Sequence, residues 1–124
     1  MARKILVVDD EKLVRWSIET FLKSWGYEVY SVGDPREALE IFSKSGIELV
    51  ITDLRMPGMS GIELAKEIKS KNPKAKIILV TGYNSPQVEK EAKEVGISYA
   101  ISKPLKAEVI KNVVEEVLMG EKTQ

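Results

Sequence analysis

The stretch Leu49-Val50-Ile51-Thr52-Asp53-Leu54-Arg55-Met56-Pro57-Gly58-Met59-Ser60-Gly61-Ile62-Glu63 holds a complete change of secondary structure. Leu49 to Thr52 is a continuous apolar, β-branched run of strand length, the pattern of a parallel strand buried on both faces. Pro57-Gly58 marks a turn, and Ser60-Gly61-Ile62-Glu63 has the spacing of a capping box that opens a helix. A buried strand passing through a short loop into a helix predicts a βαβ architecture.

The same alternation extends in both directions. Further strands are expected over Ile5 to Val8, Glu28 to Val32, Lys76 to Val80 and Ile97 to Ile101. Leu13, Ile18, Phe21, Leu22 and Trp25 predict a first helix ending near Trp25, with Gly26 as its left-handed stop. Asp34-Pro35-Arg36-Glu37 supplies an N-cap, an N1 proline and an N3 glutamate for a second helix that ends by Gly46. Asn72-Pro73 ends the third. Pro86 opens a charged fourth helix with a thin apolar stripe of Val88, Ala92 and Val95, ending before Gly96. Val109, Ile110, Val113, Val114, Val117 and Leu118 give the fifth a broad apolar face. Trp16 and Trp25 are expected to be core or half-buried packing. Five strands and five helices in alternation predict an α/β, doubly wound five-stranded parallel sheet in the flavodoxin-like order 2-1-3-4-5, with helices on both faces. The domain is expected to span 1–119, with 120–124 a polar tail or linker stub.

Composition narrows the chemistry. The chain has 124 residues, enough for one domain. Lys plus Arg and Asp plus Glu both total 19, so no net charge argues for a nucleic-acid or membrane surface. There is no Cys and no His, which excludes disulfides, thiolate nucleophiles and imidazole bases and leaves carboxylate, hydroxyl and amine chemistry. Met-Ala-Arg-Lys runs straight into a short apolar segment, too short for a signal sequence or membrane span, so a cytoplasmic protein is expected. Abundant Lys and Glu with few Asn and Gln suggest a heat-adapted source, which a mesophilic melting temperature would contradict.

Glu occurs 15 times and Asp four times, so each Asp asks for its own reason. Asp34 is a helix cap. Asp9 and Asp10 end the first strand and Asp53 the third, while Thr81-Gly82 ends the fourth and Lys103-Pro104 follows the fifth. In an open parallel sheet, ligands bind beyond these carboxyl ends. Carboxylates so close repel by about 4 kcal/mol per pair at 4 Å and an effective dielectric near 20, which calls for a cation among them. An all-oxygen donor set with room for phosphate oxygens suits Mg²⁺. Lys103 and Thr81 can hold a phosphoryl group by charge and hydrogen bond.

Val7-Val8-Asp9-Asp10-Glu11, Asp53 to Gly61, Thr81-Gly82 and Lys103-Pro104, in this order and each at a strand end, resemble bacterial two-component response-regulator receivers over about residues 4 to 118. The resemblance implies that Asp53 takes a phosphoryl group from the phosphohistidine of a sensor histidine kinase. It implies that Asp10, Asp53 and the backbone carbonyl of Arg55 ligate Mg²⁺, with Asp9 acting through a coordinated water. Lys103 would pair with the phosphoryl oxygens and Thr81 would swing its hydroxyl onto them, changing the conformation presented to an output domain or downstream protein. Homodimerisation on phosphorylation is a further implication, and direct nucleic-acid binding is not. The Lys103-Pro104 bond is typically cis in that family. Arg55 and Tyr83 fall at positions that flank the path of hydrolytic water.

Val14-Arg15-Trp16-Ser17-Ile18, Thr52 to Leu64 and Val80 to Tyr83 look most like receivers of nitrogen-regulatory, ATPase-type transcription activators. One position departs from the family: Ala100 stands where a switching aromatic is usual, and Tyr99, one residue earlier, should face the opposite side of the sheet. Signalling would then run through the loop and fourth helix. Other readings are a phosphorylation-independent docking or dimerisation module, whose mark is an incomplete site, and an Asp-dependent phosphatase or flavin binder. The phosphatase is disfavoured by an adjacent rather than alternate Asp pair, and the flavin binder by acids where a phosphate loop would lie.

Overall fold

In the computed structural model, residues 2–120 are described, so residues 121–124 of the expected tail lie outside the described residues. The elements run β1 (Lys4–Val8), α1 (Lys12–Ser24), β2 (Glu28–Val32), α2 (Pro35–Ser45), β3 (Leu49–Asp53), α3 (Gly61–Lys71), β4 (Lys76–Thr81), α4 (Pro86–Val95), β5 (Tyr99–Ser102) and α5 (Ala107–Met119). The five strands form one parallel sheet in the order β2-β1-β3-β4-β5.

Strand periodicity sorts the interior into two cores. Leu6, Val8, Val50, Ile77 and Leu79 meet Ala38, Phe42, Leu64, Ile68 and Ala92 from α2, α3 and α4 on one face. Ile5, Val7, Ile51, Ile78 and Val80 meet Ile18 and Leu22 of α1 and Ile110, Val113 and Val114 of α5 on the other. Central strands buried on both faces explain why β1, β3 and β4 are unbroken apolar runs.

The helix signals act as their chemistry requires. Asp34 accepts a hydrogen bond from the Arg36 N–H ahead of Pro35, and Gly46 is left-handed at the other end of α2. Ser60 and Glu63 form both bonds of the capping box. Ser85 accepts from the Val88 N–H at the start of α4, and Gly96 closes it in a left-handed conformation. Only Ala92 of α4 is fully buried, so the thin stripe docks thinly.

Three expected core residues are on the surface. Leu13 is 80% exposed, Trp16 62% and Val109 40%. Leu13 and Ile18 are five residues apart, roughly 140° around a helix, and do not share a face. The buried stripe of α1 runs instead through Val14, Ile18, Phe21, Leu22 and Trp25. Trp16 follows Leu13 on the outer face, whereas Trp25 is half-buried and stacks on Phe21 with ring centroids 6.0 Å apart. Val109 lies at the margin of the α5 stripe. β5 begins at Tyr99 rather than Ile97, the Ile97 side chain sitting in the first core ahead of the ladder.

Candidate functional site

Asp53 and Thr81 are the last residues of β3 and β4, one place beyond the expected strand ends, and Asp9 and Asp10 follow β1 directly. Parallel strands ending at one edge bring their terminal side chains together. Asp9 and Asp53 are buried and Asp10 is exposed, with ligand oxygens of all three within 4.8 Å of one another. The Lys103 Nζ reaches across from beyond β5 to lie 3.6 Å from Asp53 Oδ1 and 3.8 Å from Asp9 Oδ2. The Lys103–Pro104 peptide is cis.

Each buried acid is tied to backbone. The Leu54 N–H donates to Asp53 Oδ1 at 2.8 Å, and the Glu11 N–H donates to Asp9 Oδ1 at 2.8 Å. Asp9 Oδ2 is buried and accepts no hydrogen bond among the described residues. Burial pushes the Asp9 carboxyl up to about 6, against the opposing bond from Glu11 N–H and with help from the Asp53 charge. Burial also raises Asp53, which Lys103 opposes. Burial alone would lower Lys103, but Asp9 and Asp53 outweigh it and hold the ammonium above its ordinary value.

A clustered, partly orphaned set of carboxylate oxygens fits a hard divalent cation, which would offset both the burial that chiefly raises these carboxyls and the smaller repulsion between them. Asp10, Asp53, Arg55, Thr81, Tyr83 and Lys103 line one cavity of about 300 Å³ over the cluster. Asp9 does not line this cavity and joins the group through its carboxylate, which clusters with those of Asp10 and Asp53. The buried Thr81 points its Oγ1 at its own loop, accepting from the Tyr83 N–H at 2.9 Å. Arg55 and Tyr83, expected separately, pair across the cavity mouth with the guanidinium 4.0 Å from the ring centroid.

Two participants were not singled out by sequence. Glu11 Oε1 lies 3.4 Å from Lys103 Nζ, a third carboxylate on the ammonium. Its position next to Asp9-Asp10 was the available signal. Arg15 donates from Nη1 to the Asp9 carbonyl at 2.7 Å, and no one-dimensional pattern marks that contact. Ala100 stands opposite Leu79 and packs toward the first core, while Tyr99 stands opposite Ile78 on the other face, as the alternation requires.

Residues 5–115 match the family described as response regulator receiver domain. The chain is 31% identical over 118 residues to sporulation initiation phosphotransferase F of Bacillus subtilis (strain 168), covering 95% of each. It is 35% identical over 114 residues to the transcriptional regulatory protein ZraR of Escherichia coli (strain K12), covering 92% of this chain and 26% of ZraR. The structure resembles the chemotaxis protein CheY4 of Vibrio cholerae with a TM-score of 0.91 at 31% identity, covering 94% of this chain and 99% of that one. NtrX of Brucella abortus matches with a TM-score of 0.91 at 30% identity, covering 99% of this chain and 28% of NtrX. The chain thus spans about a quarter of the length of ZraR and NtrX.

Proposed function

The chain belongs to the response regulator receiver family, and from that premise we propose that it is a phosphoacceptor switch with Asp53 as the acceptor. The observation that carries this reading is the Asp53 carboxylate under an open cavity with Lys103 Nζ 3.6 Å away. An Asp53 oxygen attacks the phosphorus of a kinase phosphohistidine, forming the O–P bond as the P–N bond breaks and the electron pair leaves with the imidazole nitrogen. Lys103 holds a transferring oxygen as a point charge and opposes the burial that disfavours the Asp53 anion. Asp10 and Asp53, with the Arg55 backbone carbonyl and Asp9 through water, would hold Mg²⁺. When bound, the ion neutralises charge on the phosphoryl oxygens.

After transfer, the Thr81 hydroxyl turns from the Tyr83 N–H to the new phosphoryl group. Loss of that bond frees the loop leading into α4, whose shallow docking makes it the moving part. The output is assigned to an attached domain or a separate protein, with dimerisation on phosphorylation as one route, in the cytoplasm. Among the described residues no helix is long and apolar enough to cross a membrane. The docking-module reading expects an incomplete site, whereas Asp9, Asp10, Asp53, Thr81 and Lys103 are all at hand.

Incubation with Mg²⁺ and acetyl phosphate tests the proposal. The mass of the wild-type chain should rise by one phosphoryl group, and Asp53→Asn should abolish the gain; an unmodified wild type rejects it.

A further inference from the structure

The Asp10 carboxylate is exposed, and no hydrogen bond holds it among the described residues, so its direction depends on the backbone that carries it. Asp9, just before it, is pinned at three points. Its N–H donates to the Val32 carbonyl at 3.2 Å, its Oδ1 accepts from the Glu11 N–H, and its carbonyl accepts from Arg15 Nη1 at 2.7 Å. The last contact is charge-assisted and short, and it acts on the oxygen of the Asp9–Asp10 peptide. Because a peptide is planar, fixing that oxygen fixes the Asp10 nitrogen and Cα in the same plane.

Gly33 supplies a second, independent observation. Its φ is not in the left-handed region, so its backbone does not itself call for glycine. A Cβ there would lie 2.7 Å from Arg15 Nη1 and 3.7 Å from the Asp9 carbonyl oxygen. The loop after β2 is bare where the guanidinium passes, and any larger residue would push the guanidinium off the carbonyl. The nearby Glu19 carboxyl is held below its ordinary value chiefly by its bonds from Lys23 and Ser31, with the Arg15 charge a smaller contribution.

We propose that Arg15 is a positioning residue of the cation site: through the Asp9 carbonyl it aims the Asp10 carboxylate at the point shared with Asp9 and Asp53, and Gly33 keeps the space it needs. The inference rests on the reading of that cluster as a Mg²⁺ site. Outer groups that orient metal ligands typically change affinity by ten- to a hundredfold, and an indirect hold through a peptide plane belongs at the lower end, roughly tenfold.

Calorimetric titration of Mg²⁺ into the full chain tests this with wild type, Arg15→Met, Gly33→Ala and the double variant. Arg15→Met, which keeps the stem and loses the donors, should raise the Mg²⁺ dissociation constant roughly tenfold. Gly33→Ala should do much the same by displacing the guanidinium, and in the double variant the two effects should not add. Arg15→Lys, retaining one donor, should recover part of the loss. A purely structural role would lower the melting temperature of the Mg²⁺-free chain and leave the dissociation constant unchanged, which overturns the inference, as does full additivity in the double variant. Gly33→Ala retains Arg15 and decides the matter if Arg15→Met does not fold. Absence of Mg²⁺ binding by the wild type overturns both the inference and the receiver reading, and is distinct from a wild type that binds alongside variants that match it.

Discussion

The Arg55 guanidinium lies 4.0 Å from the centroid of the Tyr83 ring, joining the loop after β3 to the loop after β4 across the mouth of the cavity. A cation–π contact at a solvent-facing position contributes about 0.5–1 kcal/mol, or roughly two- to fivefold in the population of the closed mouth. Replacing both residues by Ala should let water reach the phosphorylated Asp53 more easily and shorten its lifetime by about that factor. Decay of the phosphorylated mass after removal of the donor measures it; equal lifetimes would refute the role.

Glu11 shares Lys103 with Asp9 and Asp53 at 3.4 Å, so the ammonium must loosen from Glu11 to follow an incoming phosphoryl group. The pair is largely exposed on the Glu11 side and is worth at most about 1 kcal/mol. Glu11→Gln should therefore speed phosphorylation by acetyl phosphate, by roughly fivefold at most, without changing the site of modification. A slower rate in that variant would mean that Glu11 aims Lys103 rather than competing for it.

Gly61 opens α3 against β3 so closely that a Cβ would sit 2.2 Å from the Asp53 carbonyl oxygen and 3.0 Å from Leu79 Cδ1. The first obstacle is backbone and cannot rotate away. Gly61→Ala should cost about 1–3 kcal/mol through overpacking, seen as a lower denaturant midpoint at an unchanged slope. A midpoint equal to that of wild type would show that α3 can slide along the sheet.

With Ala100 at the position where an aromatic is usual, Asn84 offers another connection. Its Nδ2 lies 3.4 Å from Ser102 Oγ of β5 and 3.3 Å from Glu89 of α4, while its Oδ1 is buried without a partner among the described residues. These long contacts are easily exchanged when the Thr81 loop moves. Asn84→Ala should leave phosphorylation of Asp53 intact but shrink the NMR shift changes that a phosphoryl mimic produces in α4 and β5. Unaltered changes in both elements would exclude this connection.

The sheet and its order were legible because β1, β3 and β4 are buried on both faces and so carry unbroken apolar runs, a signal that needs no knowledge of neighbours. The site was legible for a related reason: Asp9, Asp10, Asp53 and Thr81 sit at the ends of those runs, where topology alone collects them. What failed was angular. Leu13, Trp16 and Val109 are apolar residues near an apolar stripe, and only the packed helix decides which side of the stripe faces the sheet. Arg15 over the Asp9 carbonyl was unreadable, and Glu11 on Lys103 was hinted at only by its place beside Asp9-Asp10, for a different reason: each depends on where a long, flexible side chain comes to rest.

The central sheet also separates two interiors, one on each of its faces. Substitutions more than about 7–10 Å apart with no common neighbour tend to add independently. Residues lining α2, α3 and α4 can thus be exchanged over generations without a matching exchange beneath α1 and α5. The half beneath α1 and α5 holds the Arg15 anchor of Asp9, while the other can drift toward new partners wherever it keeps Gly61 against Asp53.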